Sequence, residues 1–256
     1  LILTIILTII PTGYSQDKEL PNVVILATGG TIAGAGASST EAAYTSGKVT
    51  IEAMIDAVPH IRKLANLTGE QIANVGSQDM SVKVWLDLAN HVNELLSTDD
   101  VDGIVITHGT DTQEETAYFL NLVVKSDKPV VLTGSMRPST ALSADGPLNM
   151  YNAVAVAANP KAKGYGVMVV MNDEIHSAHD VKKMISTPVQ TFESPQEGMI
   201  GTVIFGQILW FHKPHGRHTT NSEFSVEGLT ELPRVDIVYT CADVSPDLID
   251  LMIGAG

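Results

Sequence analysis

The stretch that decides the fold is Asn22 to Gly36, which reads NVVILATGGTIAGAG. Val23 to Ala27 is a continuous apolar run rich in β-branched residues, and it predicts a strand that is buried on both faces. The run ends in Thr28-Gly29-Gly30-Thr31, where two glycines allow the backbone to turn sharply and to approach another segment closely. The hydroxyl of Thr31 is therefore expected just beyond the carboxyl end of a central strand, where open α/β sheets bind their ligands.

The order of strands and helices predicts a three-layer αβα domain. Further strands are expected over residues 71–75, 103–107, 130–133 and 166–171, with helices over 49–58, 81–97, 112–125 and 145–158 between them. Thr112 followed by Glu115 forms a capping-box pattern at the start of the third helix. This alternation implies a mostly parallel sheet with helices on both faces, and a β-hairpin is expected over 202–211. The αβα domain is placed at residues 20–212.

The N-terminal end of the chain predicts that the protein is exported. Leu1 to Ile10 is apolar throughout but too short to span a bilayer, which takes roughly 20 residues, and it is typical of the apolar core of a signal peptide. Gly13 and Ser15 precede a suitable cleavage point, so residues 1–15 are interpreted as a partial signal peptide. The mature protein is therefore expected to be periplasmic or secreted.

The C-terminal end predicts the beginning of a smaller α/β domain. Residues 213–232 are polar and lack a long periodic run, which is typical of a linker. Residues 233–256 then offer one strand, Val235 to Thr240, and the start of one helix, Pro246 to Ile253. One strand and one helix cannot bury their own apolar faces, so we expect this incomplete domain to form a frayed tail.

Composition and charge restrict the classes of partner. The 256-residue chain carries a formal net charge of −14, and its pI is near 4.8. This acidic balance argues against nucleic acid and against a membrane surface as partners. Cys241 is the only cysteine, so no internal disulfide can form.

Polar side chains beside glycine follow four of the predicted strands. They are Thr31, Ser77 with Asp79, Thr110 with Asp111, and Ser135. Because the carboxyl ends of parallel strands meet at one edge of the sheet, these groups are expected to share a polar site. A single strand end of this kind is an ordinary turn, whereas four along one edge indicate a binding or catalytic site.

Other common site patterns fit poorly. Ala35 and Gly36 stand where a phosphate-binding loop needs Lys and Ser or Thr, and the dinucleotide fingerprint fails at its last glycine. No G-x-S-x-G motif occurs. Several histidines are spaced three apart without the cysteines or H-E-x-x-H of a zinc site, and we interpret them as loop surface: His176, His179, His212, His215 and His218. His108 is interpreted as a packed residue at a strand end, and no metal is expected.

A threonine hydroxyl needs a partner that removes its proton before it can act as a nucleophile. One candidate is the phenol of Tyr44, which lies on a loop of mostly small residues over 35–48 that is long enough to be a lid. The other is the amine of Lys182 or Lys183, since a lysine shielded from water can give up its proton. Asp111 could hold such a lysine or bind a substrate ammonium group.

Two segments resemble the signature segments of bacterial type II L-asparaginases. They are Thr28 to Gly34, TGGTIAG, and Ile106 to Thr112, ITHGTDT. The resemblance runs from about Leu20 to the end of the chain, and four shorter segments support it: Gly76–Asp79, Arg137–Ser139, Ser143–Pro147 and Val169–Asp173. It implies hydrolysis of L-asparagine to L-aspartate and ammonia through an acyl-enzyme, with no cofactor.

The resemblance also implies roles for individual residues. Thr31 resembles the nucleophile and Tyr44 its partner on the lid, while Thr110, Asp111 and Lys183 resemble a second triad. Ser77, Gln78 and Asp111 resemble the residues that hold the α-carboxylate and α-ammonium of the substrate. Either threonine could attack first.

Members of this family are homotetramers of two-domain subunits, in which a glutamate from a neighbour's C-terminal domain completes the site. That segment would follow Gly256, so the 256 residues alone are expected to be inactive. Two alternatives stay open: a glutaminase-asparaginase with a looser pocket, and a non-catalytic amino-acid-binding relative.

Overall fold

The structure of the protein is a computed structural model that describes residues 19–36, 44–45 and 48–255. The predicted signal peptide, residues 1–15, and most of the expected lid, residues 35–48, lie outside the described residues. Tyr44 is described only through its backbone, as part of a two-residue strand. No helix of the described ranges is long and apolar enough to cross a membrane.

Twelve strands and five α-helices make up the regular structure of the described ranges. The strands are β1 Asn22–Gly29, β2 Ala35–Gly36, β3 Tyr44–Thr45, β4 Asn66–Val75, β5 Gly103–Thr107, β6 Val130–Thr133, β7 Val167–Met171, β8 Glu174–Ser177, β9 Lys182–Lys183, β10 Phe192–Glu193, β11 Gly201–Ile204 and β12 Gln207–Trp210. The helices are α1 Ile51–Asp56, α2 Val82–Leu96, α3 Gln113–Val123, α4 Gly146–Ala157 and α5 Asp247–Gly254.

Eight of these strands form the central sheet, in the order β12-β11-β8-β7-β6-β5-β1-β4. Strands β4, β1, β5, β6 and β7 run parallel to one another. Strands β8, β11 and β12 continue the sheet from β7 in antiparallel pairs. The β11–β12 pair is the hairpin that the sequence predicts. The expectation of a mostly parallel sheet is therefore confirmed.

Both faces of the sheet are covered, because its central strands are apolar on both sides. Val23, Ile25 and Ala27 of β1 belong to the core cluster that contains the buried side chains of α1 and α4. Val24 and Leu26 point the other way, into the cluster that contains the buried side chains of α2 and α3. This alternation along one strand gives the three layers.

Two local predictions are wrong. Thr112 does not form a capping box, because its hydroxyl donates to the carbonyl oxygen of Ser77, at 2.8 Å, and makes no cap hydrogen bond to α3. Strand β4 begins at Asn66, five residues before the predicted start at 71. Strand β4 contains polar residues, so its first half does not stand out as an apolar run in the sequence. An edge strand tolerates polar residues because it pairs with a neighbour on one side only.

The end of the chain also differs from the prediction. Residues 235–240 form no strand, since no neighbouring strand pairs with them, and Val235 is 80% exposed. The predicted helix is present as α5, but none of its residues is buried. Within the expected linker 213–232, by contrast, Val226 is buried and packs into the core.

Candidate active site

The two glycines at the end of β1, Gly29 and Gly30, bring three strand ends together. A Cβ on Gly29 would lie 2.5 Å from the carbonyl oxygen of Val75, and one on Gly30 would lie 2.4 Å from the backbone nitrogen of Gly109. Gly30 has φ 80° and ψ −173°, a conformation that residues other than glycine rarely adopt. The backbone of the turn at the end of β1 therefore packs closely between the ends of β4 and β5.

This contact brings the backbone segments that carry two threonines close together. Thr31 directly follows Gly30, and Thr110 directly follows Gly109. Both threonines are buried, at 7% and 5% exposure, although each lies at the carboxyl end of its strand. The edge of the sheet that the sequence predicts as a site thus carries both hydroxyls.

Lys183 joins Thr110 to Asp111. Its ammonium nitrogen lies 2.8 Å from Thr110 Oγ1 and 2.6 Å from Asp111 Oδ1. The side chain of Lys183 is 13% exposed, whereas that of Asp111 is 58% exposed. A shielded lysine is thus held by a carboxylate that faces solvent, and it contacts a buried hydroxyl that is 73 residues away in the sequence.

Ser77 supports the same strand end from β4. Its buried hydroxyl oxygen accepts a hydrogen bond from the backbone N–H of Asp111, at 3.1 Å. The neighbouring Gln78 is exposed, and its amide donates to Asp79 Oδ2 at 3.1 Å. Ser77 therefore contacts the segment that carries Thr110 and Asp111, and Gln78 follows it in the chain.

His108 precedes this segment, and both of its ring nitrogens are occupied by other partners. It is fully buried, and burial lowers the pKa of its imidazole from 6.5 to about 4. Nδ1 lies 2.7 Å from the carbonyl oxygen of Gly109, and Nε2 lies 2.9 Å from Thr116 Oγ1. A carbonyl can only accept, so Nδ1 carries the hydrogen and Nε2 accepts from Thr116. The ring is a neutral structural support, as the sequence predicts.

Not every predicted residue lies in this arrangement. Ser135 donates to the carbonyl oxygen of Arg137, at 2.8 Å, and lines a cleft with Ile32 and Pro147 instead. His176 is not loop surface, because it belongs to β8 and is 1% exposed, with Nδ1 2.9 Å from Ser194 Oγ. The side chain of Tyr44 lies outside the described residues.

Sequence reasoning misses one residue of the site, Glu114. Its carboxylate accepts a hydrogen bond from the backbone N–H of Lys183, at 2.5 Å. Together with Asp111 and Lys183 it lines a cleft of about 340 Å³. The only feature of the sequence that associates Glu114 with the site is its position four residues after Thr110. That position does not predict a contact with Lys183, which is almost 70 residues further along the chain.

Comparison with known proteins identifies the family. The family model "Asparaginase, N-terminal" matches residues 22–216, which is more than half of the chain. The chain belongs to the asparaginase family. The resemblance carried by the two signature segments is therefore confirmed.

The similarity to individual asparaginase-family proteins extends along nearly the whole chain. "L-asparaginase 2" of Bacillus subtilis is 54% identical over 94% of this chain and 64% of its own length. "Probable L-asparaginase periplasmic" of Haemophilus influenzae is 51% identical, over 95% of this chain and 69% of its own length. Other relatives, at 50–54% identity, are named glutaminase-asparaginase.

A solved asparaginase-family structure shares the fold. A crystal structure of a probable cytoplasmic L-asparaginase from Campylobacter jejuni superposes with a TM-score of 0.89 at 48% identity, and covers 92% of this chain and 72% of that one. The chain spans 64% of the length of the Bacillus subtilis relative.

Proposed function

We propose that the protein hydrolyses the side-chain amide of L-asparagine to L-aspartate and ammonia. The observation that carries this proposal is the bridge from Lys183 to Thr110 and Asp111, in a chain of the asparaginase family. Thr31 follows Gly30, whose backbone contacts the residue before Thr110. A nucleophilic hydroxyl, a second hydroxyl and a lysine-carboxylate pair are the groups that acyl transfer through an ester intermediate needs.

Thr31 is proposed as the nucleophile. Its oxygen attacks the amide carbon, the C–N bond breaks, and the hydroxyl proton leaves with the nitrogen as ammonia. Thr110 is proposed to activate the water that then attacks the ester, which releases aspartate and returns a proton to Thr31. The Lys183–Asp111 pair holds Thr110 in place and stabilises charge on its oxygen. Tyr44 is proposed to close over Thr31.

The ends of the substrate require opposite charges from the site. Asp111 supplies a carboxylate for the α-ammonium group, and its 58% exposed side chain supports this role because it is accessible while it holds Lys183. Ser77 and Gln78 are proposed to supply polar groups for the α-carboxylate, since Ser77 contacts the backbone of Asp111 and Gln78 follows Ser77 in the chain. No cofactor is part of the proposal.

A broader specificity is the second candidate. Relatives at 50–54% identity carry the name glutaminase-asparaginase, which supports glutamine as an additional substrate. Glutamine has one methylene more than asparagine, a difference that a pocket typically discriminates by about 1–3 kcal/mol.

The test is ammonia release by the full-length protein with asparagine, with glutamine and with neither. Hydroxylamine in the same assay should divert the acyl-enzyme to aspartyl hydroxamate. Release from asparagine without any hydroxamate would contradict the ester intermediate. Aspartate binding without ammonia release would instead identify an amino-acid-binding protein.

We further propose the setting in which this activity operates. The domain division at 20–212, 213–232 and 233–256, export to the periplasm or medium, and a homotetramer of the full-length protein are all proposals. The apolar run at 1–10 supports export, as does the name of the Haemophilus influenzae relative, which calls that protein periplasmic. The Campylobacter jejuni protein, by contrast, is described as cytoplasmic. N-terminal sequencing of the mature protein tests export, and light scattering of the full-length protein tests assembly into a tetramer.

A further inference from the structure

Lys183 lies on a strand that is not part of the central sheet. Strand β9 consists of Lys182 and Lys183, and among the residues that the structure describes it pairs only with β10, where Phe192 is opposite Lys183 and Glu193 is opposite Lys182. A two-stranded pair of this length is marginal by itself. The position of the Lys183 ammonium group therefore depends on what holds β9 against the rest of the domain.

The backbone of Lys183 is held by Glu114. Its N–H donates to Glu114 Oε2 at 2.5 Å, so a carboxylate takes the place that a third strand would fill. Hydrogen bonds to an ionised acceptor are shorter and stronger than neutral ones. Glu114 lies in the first turn of α3, where the helix dipole favours a negative charge.

The same short segment holds both ends of Lys183. Thr110 and Asp111 precede α3 and bind the ammonium group, while Glu114 in its first turn binds the backbone N–H. The distance from Lys183 Nζ to Thr110 Oγ1 is thereby fixed from two sides by residues 110–114. Loss of the contact with Glu114 removes one attachment of the Lys183 backbone, and a flexible four-carbon stem joins that backbone to the ammonium group.

We propose that Glu114 is a positioning residue for the reaction, which sets the placement of Lys183 on Thr110 through the backbone of β9. This inference rests on the proposed function, because Lys183 acts there on the reacting hydroxyl. Glu114 itself contacts none of the reacting atoms. Displacement of a reacting group by about 1 Å can cost on the order of 10²-fold in rate, so a backbone contact can control turnover.

Glu115 provides a matched control. It lies beside Glu114 in the first turn of α3 and carries the same charge, but its side chain is exposed. A contribution from the helix dipole alone would be lost equally in Glu114→Ala and Glu115→Ala. A contribution from the contact with Lys183 is lost only in the first, and Glu114→Gln should preserve it because the amide oxygen still accepts.

The experiment compares these three variants with the wild type in the full-length protein. For asparagine, Glu114→Ala should lower kcat by about 10- to 100-fold with KM changed less than about threefold, since placement affects chemistry more than binding. Glu114→Gln should stay within about fivefold of wild-type kcat, and Glu115→Ala within about twofold.

Hydrogen exchange gives a second measurement that does not depend on activity. The amide of Lys183 should lose about tenfold or more of its protection in Glu114→Ala, and keep it in Glu115→Ala. A wild type that releases no ammonia would refute the proposed function, while the exchange data would still decide whether Glu114 holds β9. Wild-type kcat or unchanged exchange in Glu114→Ala would overturn the inference. Equal losses in Glu114→Ala and Glu115→Ala would do the same, as would an inactive Glu114→Gln that is folded.

Discussion

Replacing Gly30 by alanine should damage both the stability and the site of this protein. Gly30 turns the chain with φ 80° and ψ −173°, a region that is essentially restricted to glycine. The added Cβ would lie 2.4 Å from the backbone nitrogen of Gly109 and 2.5 Å from its Cα, distances that require the backbone to move. No flexible side chain is available to move aside instead.

The two costs can be estimated separately. A residue held in a sparsely populated backbone region costs about 1–3 kcal/mol. Forcing an extra carbon into a packed contact typically costs about 1–3 kcal/mol more. The free energy of unfolding should therefore fall by about 2–6 kcal/mol, which corresponds to a decrease in Tm of roughly 5–20 °C for a domain of this size.

Gly164→Ala is the control that separates these costs. Gly164 also has a positive φ, 73°, but no atom lies within 4 Å of its added Cβ. This variant should show backbone strain without the steric clash, so its Tm should fall by less than that of Gly30→Ala. Thermal unfolding followed by circular dichroism measures both changes.

The activity of Gly30→Ala adds an independent test. Because Gly30 and Gly109 directly precede Thr31 and Thr110, separating the two backbones also shifts the two threonines relative to each other. Ammonia release below the Tm should fall by about 10²-fold. A Gly30→Ala variant as stable as Gly164→Ala, with wild-type turnover, would refute the close approach on which the site is built.

Three further outcomes are expected. Thr31→Ala and Thr110→Val should each lower kcat by about 10² to 10⁴ without a change in fold, as measured by ammonia release and circular dichroism; near-normal turnover in either would exclude the role assigned to that threonine. Lys183→Met should lower kcat more than it raises KM, and an effect on KM alone would indicate substrate binding instead. Burial lowers the pKa of His108 from 6.5 to about 4, so the unfolded state binds more protons between these values. Stability should therefore be fully retained above pH 6.5 and fall by about 3 kcal/mol towards pH 4. Urea unfolding across this range should show a weaker pH dependence in His108→Gln, and an equal dependence in both proteins would contradict the assignment.

The class of fold could be predicted from local pattern alone. Four strands, β1, β5, β6 and β7, are buried on both faces, so each is a continuous apolar run in the sequence. Such a run predicts a strand without any knowledge of the neighbouring strands. Strand β4 was only partly visible, because an edge strand keeps polar residues such as Thr68 and Glu70. Residues 235–240 carry a strand pattern and form none, because a strand also needs a partner.

The sequence by itself determined that the chain builds a parallel sheet and that Thr31, Ser77 and Thr110 stand at strand ends, because these properties follow from periodicity and from glycine turns. The tertiary structure decided which strand ends touch. The order β4-β1-β5 brings Ser77 and Gly30 to Gly109, whereas the hydroxyl of Ser135 after β6 donates to the carbonyl oxygen of Arg137. The tertiary structure also decided that the side chain of Lys183 reaches Thr110 and that Glu114 binds the backbone of Lys183. Contacts between residues about 70 positions apart depend on how the chain crosses over and how its strands pair, and no local sequence pattern encodes this.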